Sequence, residues 1–365
     1  MSKLFTEGKI GNLTINNRLV RSATAECMAD ETGKPTTNLH AYLKKLAEGG
    51  VGLIITGHMY VHPGGKAHPE MTGIYSDDIT PDLAELTKTI HDAGGKVVAQ
   101  INHGGMNCAR KSVADPVTAS DFEADFIKRP ARAMTPAEVE EVIDAFGQAA
   151  RRAKEAGFDG VQIHAAHGYL NSQFLSPLIN KRTDRWGGSA EKRMNLLRDI
   201  SQAIRDQVGP DYLVMIKLGL EDGVEGGLPL DEGLKVVAKL TGMGIDAVEI
   251  SGGIGGGEIQ IIRKGVKVSQ NEAYFLDWAE KARQLTKLPI LLVGGLRSKA
   301  AMEEVLTDGY ADFISLCRPL ICEPDLPVRM RDGLQNSSIC ISANNCWAKE
   351  PGVGIACKCP IDRVR

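Results

Sequence analysis

Gly160-Val161-Gln162-Ile163-His164-Ala165-Ala166-His167-Gly168-Tyr169 is the stretch on which the fold turns. It opens as a short, mostly apolar run that reads as a buried β-strand, and two imidazoles and a phenol leave its C-terminal end together. That grouping offers two hydrogen-bond donors and one proton donor, which suits an electron-poor carbonyl compound better than a structural core. Seven more runs of the same kind occupy residues 18–22, 51–56, 96–101, 213–218, 247–251, 289–294 and 312–317. Most are continuously apolar, as expected for parallel strands buried on both faces. Amphipathic stretches lie between them, such as residues 136–156 and 230–240. The first of these opens with Thr135 as N-cap and Pro136 at the first helical position. Eight βα units in succession predict an α/β fold, a (β/α)8 TIM barrel, rather than a doubly wound open sheet.

Composition narrows the function classes. The 365-residue chain has a net charge of −3 and 43% apolar residues, so neither a disordered protein nor a nucleic-acid-binding surface is expected. The first eight residues have no signal-peptide shape, and no stretch approaches the ~20 apolar residues of a membrane span. A cytoplasmic protein is the expectation. Two long segments, residues 104–134 and 168–190, follow the third and fourth strands, on the face where barrels carry their sites.

Several polar residues sit where strands end: Thr24, Gln100, His103, His164, His167, Tyr169, Lys217 and Arg318. A lysine within a strand is costly unless it is paired or faces a ligand. Gly253 lies in the glycine-rich run 251–257 after strand six; Gly294 and Gly295 follow strand seven, and Arg318 follows strand eight. The loops after strands seven and eight form the phosphate site of many barrels, where glycine admits the phosphate to backbone N–H groups and arginine neutralises it. Zinc on His164 and His167 is the weaker reading, since the next acidic residue is Asp184.

These residues resemble the old yellow enzyme family of flavin oxidoreductases. The match runs through Asn17-Arg18-Leu19-Val20, residues 52–56 and Gln100-Ile101-Asn102-His103-Gly104-Gly105. It continues through His164 to Leu170, residues 173–177, and Asn180-Lys181-Arg182-Thr183-Asp184-Arg185-Trp186-Gly187-Gly188-Ser189 with Glu191 and Arg193. The resemblance implies FMN at the barrel mouth and NADH or NADPH as reductant. It implies that Ala23, Thr24 and Gly57 line the flavin ring, that Gln100 meets its pyrimidine edge, and that Gly253, Gly294, Gly295, Cys317 and Arg318 complete the cofactor contacts. Lys217 stands where the family usually has arginine, giving a point charge rather than a fork. The implied reaction is reduction of the C=C bond of an enone, enoate or enoyl thioester. His164 and His167 hold the carbonyl oxygen, and Tyr169 supplies a proton.

The eight cysteines include four crowded at the C-terminus: Cys340, Cys346, Cys357 and Cys359. One branch of the family, with 2,4-dienoyl-CoA reductase and trimethylamine dehydrogenase, carries a [4Fe–4S] site there and further nucleotide-binding domains beyond it. The sequence ends at Arg365, so those domains are not expected. Ala343 replaces one cysteine of the cluster motif, which leaves Cys340, Cys346 and Cys359, with Cys357 as a substitute; free thiols are expected over a cluster or zinc. Ala25 occupies a position where some members have a flavin-facing cysteine, which leaves Cys27 out of that role. The expected organisation is an FMN-binding barrel over residues 1–335 and a cysteine-containing extension over 336–365 packed on it. The partners implied are small molecules; a homo-oligomer is left open.

Overall fold

The computed structural model describes residues 2–125, 127, 129–346 and 354–358. Eight parallel strands, Leu19–Arg21, Leu53–Ile55, Val97–Asn102, Gly160–Ala165, Leu213–Gly219, Ala247–Ser251, Ile290–Val293 and Phe313–Leu316, pair with their sequence neighbours. The last pairs with the first, Ile314 against Leu19, which closes the barrel. Every expected strand is present; the first, second, seventh and eighth are two or three residues shorter than expected, and the other four match or exceed the expected length.

The interior explains where a site can form. Side chains two apart on a strand share a face, and the inward positions step from apolar to polar toward the C-terminal ends. Val98 gives way to Gln100, Met215 to Lys217, Ala247 to Glu249, and Phe313 to Ser315. The lower interior is an apolar cluster that includes Val20, Leu53, Val98, Met215, Leu291 and Phe313. A hairpin of Gly8–Ile10 and Leu13–Ile15, not anticipated from the sequence, plugs that end with Ile10 and Ile15. The larger apolar cluster lies between the strands and the surrounding helices. The upper interior is therefore the polar end, open to the loops.

The helix Pro136–Glu155 starts as expected. Thr135 Oγ1 accepts from Glu138 N–H, and the Glu138 carboxylate accepts from Thr135 N–H in return. The segment 104–134 carries a short parallel pair, Val117–Thr118 with Arg132–Ala133, and the segment 168–190 begins with the helix Leu170–Leu175. Among the described residues no helix is long and apolar enough to cross a membrane.

The cap gives a direct test. Thr135→Ala should cost about 1 kcal/mol in urea denaturation. A loss under ~0.3 kcal/mol, within the spread of ordinary surface substitutions, would show that the reciprocal bonds contribute nothing.

Candidate functional site at the barrel mouth

A cavity of about 330 Å3 opens at the C-terminal end of the barrel. His164, His167, Tyr169, Gln100, Lys217, Ala23, Thr24, Gly295, Cys317 and Arg318 all line it. Gly57, Gly253 and Gly294 lie outside that lining. Gly57 N–H donates to Glu26, and a Cβ there would stand 1.7 Å from the Glu26 carboxylate. Gly253 has φ +82° and packs on the carbonyl of Ile259. Gly294 O accepts from Tyr274 N–H. Gly57 and Gly253 are closely packed behind the wall, whereas Gly294 sits against the rings of Tyr274 and Phe275, which themselves line the cavity. His103 is also outside the lining; it is buried, its Nδ1 accepts from Gly105 N–H, and burial pushes its imidazole down to about 3.

The imidazoles are arranged by one strand end. His164 is the fifth residue of Gly160–Ala165, and its Nδ1 accepts from Ala166 N–H at 3.3 Å, which leaves the ring proton on Nε2. His167 takes φ +62°, a conformation that costs a non-glycine residue energy and turns its ring back toward the barrel. Its Nε2 lies 2.7 Å from Ser251 Oγ. The two rings meet edge to face at 5.2 Å between centroids, and Tyr169 stands 4.9 Å from His164. Burial, then His167, His58 and Lys217, holds His164 well below the ordinary histidine range. Burial and Lys217 bring His167 to about 3. Burial pushes the Tyr169 phenol above its usual range. Near neutral pH the site presents two uncharged imidazoles and a protonated phenol.

Beneath them lies a polar network that sequence reasoning missed. Lys217, itself singled out from the sequence, faces Glu249 directly across adjacent strands, and their Nζ–Oε2 separation is 3.3 Å with both side chains buried. Lys217 Nζ also donates to Ser22 Oγ at 2.8 Å. Gln162 Nε2 donates to Glu249 Oε2 at 3.0 Å, and Gln100 Nε2 donates to Gln162 Oε1 at 2.7 Å. An ionised carboxylate only accepts, so Glu249 turns the Gln162 amide, and Gln162 in turn fixes Gln100. The signal available in the sequence was the inward alternation of each strand. His58 was missed too. It lines the cavity 4.9 Å from Tyr169 and 5.9 Å from His164, and its place just past the end of strand two follows the rule that found the other residues.

The far end of the cavity is cationic. Arg318 donates to Arg263 O at 2.8 Å and Asn344 Oδ1 at 2.6 Å. Buried Arg297 donates to Val266 O and Ser338 O, and its Nε has no partner among the described residues. Gly295 has φ +76°, and a Cβ there would crowd the Tyr274 ring at 3.0 Å. Ser315 Oγ, on the cavity wall, is buried without a partner among the described residues. An anion-accepting end, an apolar wall of Ala23, Leu296 and Ile355, and a polar edge of Gln100 and Lys217 fit a flat, hydrogen-bonding, phosphorylated cofactor such as FMN.

Cys340 is buried and Cys346 lines the cavity, while Cys359 lies outside the described residues. Among the described residues no three His, Cys, Asp or Glu side chains are arranged to hold a metal ion. Cys27 is raised to about 12 by burial, which keeps it a thiol.

Residues 3–337 match the family described as NADH:flavin oxidoreductase / NADH oxidase. An NADH oxidase of Thermoanaerobacter brockii is 35% identical over 345 residues, covering 93% of this chain and 52% of that protein. A 2-naphthoyl-CoA reductase, solved with 2-naphthoyl-CoA, superposes with TM-score 0.86 at 29% identity, over 96% of this chain and 57% of that one. An old yellow enzyme homologue from Zymomonas mobilis superposes with TM-score 0.81 at 26% identity, over 96% and 98%. The chain thus spans little more than half the length of the first two.

The buried ion pair predicts a stability pattern. Glu249→Gln should cost about 3–5 kcal/mol in chemical denaturation, because it leaves the Lys217 ammonium uncompensated. The double variant Glu249→Gln with Lys217→Met should recover most of that loss. Additive losses would show that the pair is not coupled.

Proposed function

Because the chain belongs to the NADH:flavin oxidoreductase / NADH oxidase family, we propose that it is an FMN-dependent ene-reductase that uses NADH or NADPH. Its substrate in this reading is an α,β-unsaturated carbonyl compound: an enone, an enoate or an enoyl thioester. The observation that carries the proposal is the grouping of two neutral imidazoles and a protonated phenol in one cavity with a cationic far end. Arg318, Arg297 and the backbone at Gly295 would hold the phosphate; Gln100 and Lys217 would meet the polar edge of the ring system. When bound, FMN would supply the hydride chemistry that links the nicotinamide to the β-carbon of the alkene.

The remaining work falls to the protein. His164 Nε2–H and the His167 ring donate to the carbonyl oxygen of the substrate. They stabilise negative charge as it builds there, and their uncharged state costs no added desolvation. Tyr169 O–H delivers the proton to the α-carbon, and the surrounding rings of His58 and His164 hold the phenol in place. Apolar Leu296 and Ile355 keep water from the site. The likeness to a reductase of an aromatic acyl thioester supports a thioester among the candidate substrates.

Anaerobic stopped-flow measurements test this. The protein reconstituted with FMN should bleach with NADH or NADPH and recover its colour with enones, enoates or enoyl thioesters. Tyr169→Phe should slow recovery by about 10²–10⁴-fold and leave bleaching within a few fold. His164→Ala should slow recovery by about 10²–10³-fold. A protein that stays colourless through reconstitution overturns the proposal.

The pH dependence follows from the lowered imidazoles. A histidine brought down to about 3 is neutral at every pH above that value, and a raised phenol keeps its proton past pH 10. The rate of colour recovery should therefore show no break near pH 6.5, the ordinary histidine range. A break between pH 6 and 7 that disappears in His164→Gln would contradict the neutral clamp.

A further inference from the structure

We propose that Cys322 and Cys357 are a disulfide-forming pair that fastens the C-terminal segment to the wall of the cavity. Their sulfurs stand 2.8 Å apart, although the residues are 35 positions apart in sequence. The two thiols are therefore in direct contact, and a bond of ~2.05 Å needs the sulfurs to approach by less than about 1 Å. The inference does not depend on the proposed reaction.

Both partners are already seated. Cys322 ends the helix Arg318–Cys322, whose Arg318, Pro319 and Ile321 line the cavity. The next residue, Glu323, is buried and accepts from Ser338 Oγ and Ile339 N–H, each at 2.7 Å, which anchors that end of the helix. On the other side, Ile355 is 3% exposed and forms part of the cavity wall. Ile355 N–H donates to Glu26 O at 3.1 Å and Ala356 N–H to Cys346 O at 2.7 Å. Gly354 approaches Glu26 so closely that a Cβ would stand 2.3 Å from its carbonyl oxygen. The noncovalent fold thus brings the two thiols together before any bond forms, so closing the link adds little ordering cost.

Three of the other thiols, Cys27, Cys108 and Cys340, compete poorly. Burial pushes Cys27 and Cys108 up to about 12 and raises Cys340, and the thiolate is the form that attacks a disulfide. The oxidant is a low-molecular-weight disulfide. One of the paired thiols, as thiolate, attacks a sulfur of that disulfide, forming a mixed disulfide and releasing one thiol. The neighbouring thiolate displaces the second. Two protein thiols lose two electrons and two protons, and one small disulfide becomes two small thiols. The link holds Ile355 on the cavity wall. Without it, the described part of the segment relies on its backbone hydrogen bonds and apolar burial.

The test uses the full-length wild-type protein, reduced and then equilibrated in buffers of graded reduced and oxidised glutathione, with alkylation and peptide mass spectrometry. A Cys322–Cys357 linked peptide should appear as the oxidised fraction rises and be absent from Cys322→Ser and Cys357→Ser. The oxidised wild type should melt above the reduced one, a comparison that needs no variant. Full alkylation of both residues at every ratio overturns the proposal, as does a link from either residue to a different cysteine. Stoichiometric iron or zinc that is lost in Cys357→Ser overturns it in favour of a metal site. An oxidised form that melts no higher than the reduced one overturns the fastening.

Discussion

The Glu249 carboxylate is the constraint on which the site depends. It is fully buried on strand six and answers to two neighbours at once, the Lys217 ammonium at 3.3 Å and the Gln162 amide at 3.0 Å. A buried carboxylate is tolerable only with such partners. Having them, it dictates the orientation of Gln162 and through it of Gln100, and it places the positive charge of Lys217 under the cavity. Two residues that would meet the polar edge of a flavin thus inherit their geometry from a group that does not line the cavity.

A second constraint acts on the other wall. Burial makes charge expensive, so it keeps His164, His167 and His58 uncharged and keeps the proton on Tyr169. Hydrogen bonds then orient the rings: Ala166 N–H settles which nitrogen of His164 carries the proton, and Ser251 meets His167. The strained backbone at His167 is sustained by its surroundings, where Asn107 and Gln173 both donate to Gly168 O. The apolar lower barrel, plugged by the N-terminal hairpin, gives these polar groups a fixed floor.

The eight strands were legible because parallel strands covered on both faces need apolar residues in unbroken runs. Turns and glycine-bounded ends then mark their limits. The hairpin of residues 8–15 was not legible: its short strands carry too few residues for a period to show, and its burial comes from the barrel it plugs. His164, His167 and Tyr169 stood out because polar side chains at a strand end belong to one mouth in this architecture. Glu249, Gln162 and His58 did not. The first two read as ordinary strand positions until neighbouring strands set them in register, and His58 lay past the end of strand two, where Gly57 alone was singled out. Gly57, Gly253 and Gly294 were expected against the cofactor; none of the three lines the cavity itself, and Gly294 lies beside the lining residues Tyr274 and Phe275.

The amino-acid sequence by itself determined the barrel, its direction and the strand ends that carry chemistry, because hydrophobic periodicity and chain order are local properties. Only the tertiary structure decided which polar groups are paired with which. It joined Glu249 to Lys217 and Gln162, left Arg297 and Ser315 with atoms at the cavity unpartnered among the described residues, and set Cys322 beside Cys357. Those outcomes depend on distances between residues far apart in the chain, and a closed barrel sets such distances only when its last strand meets its first.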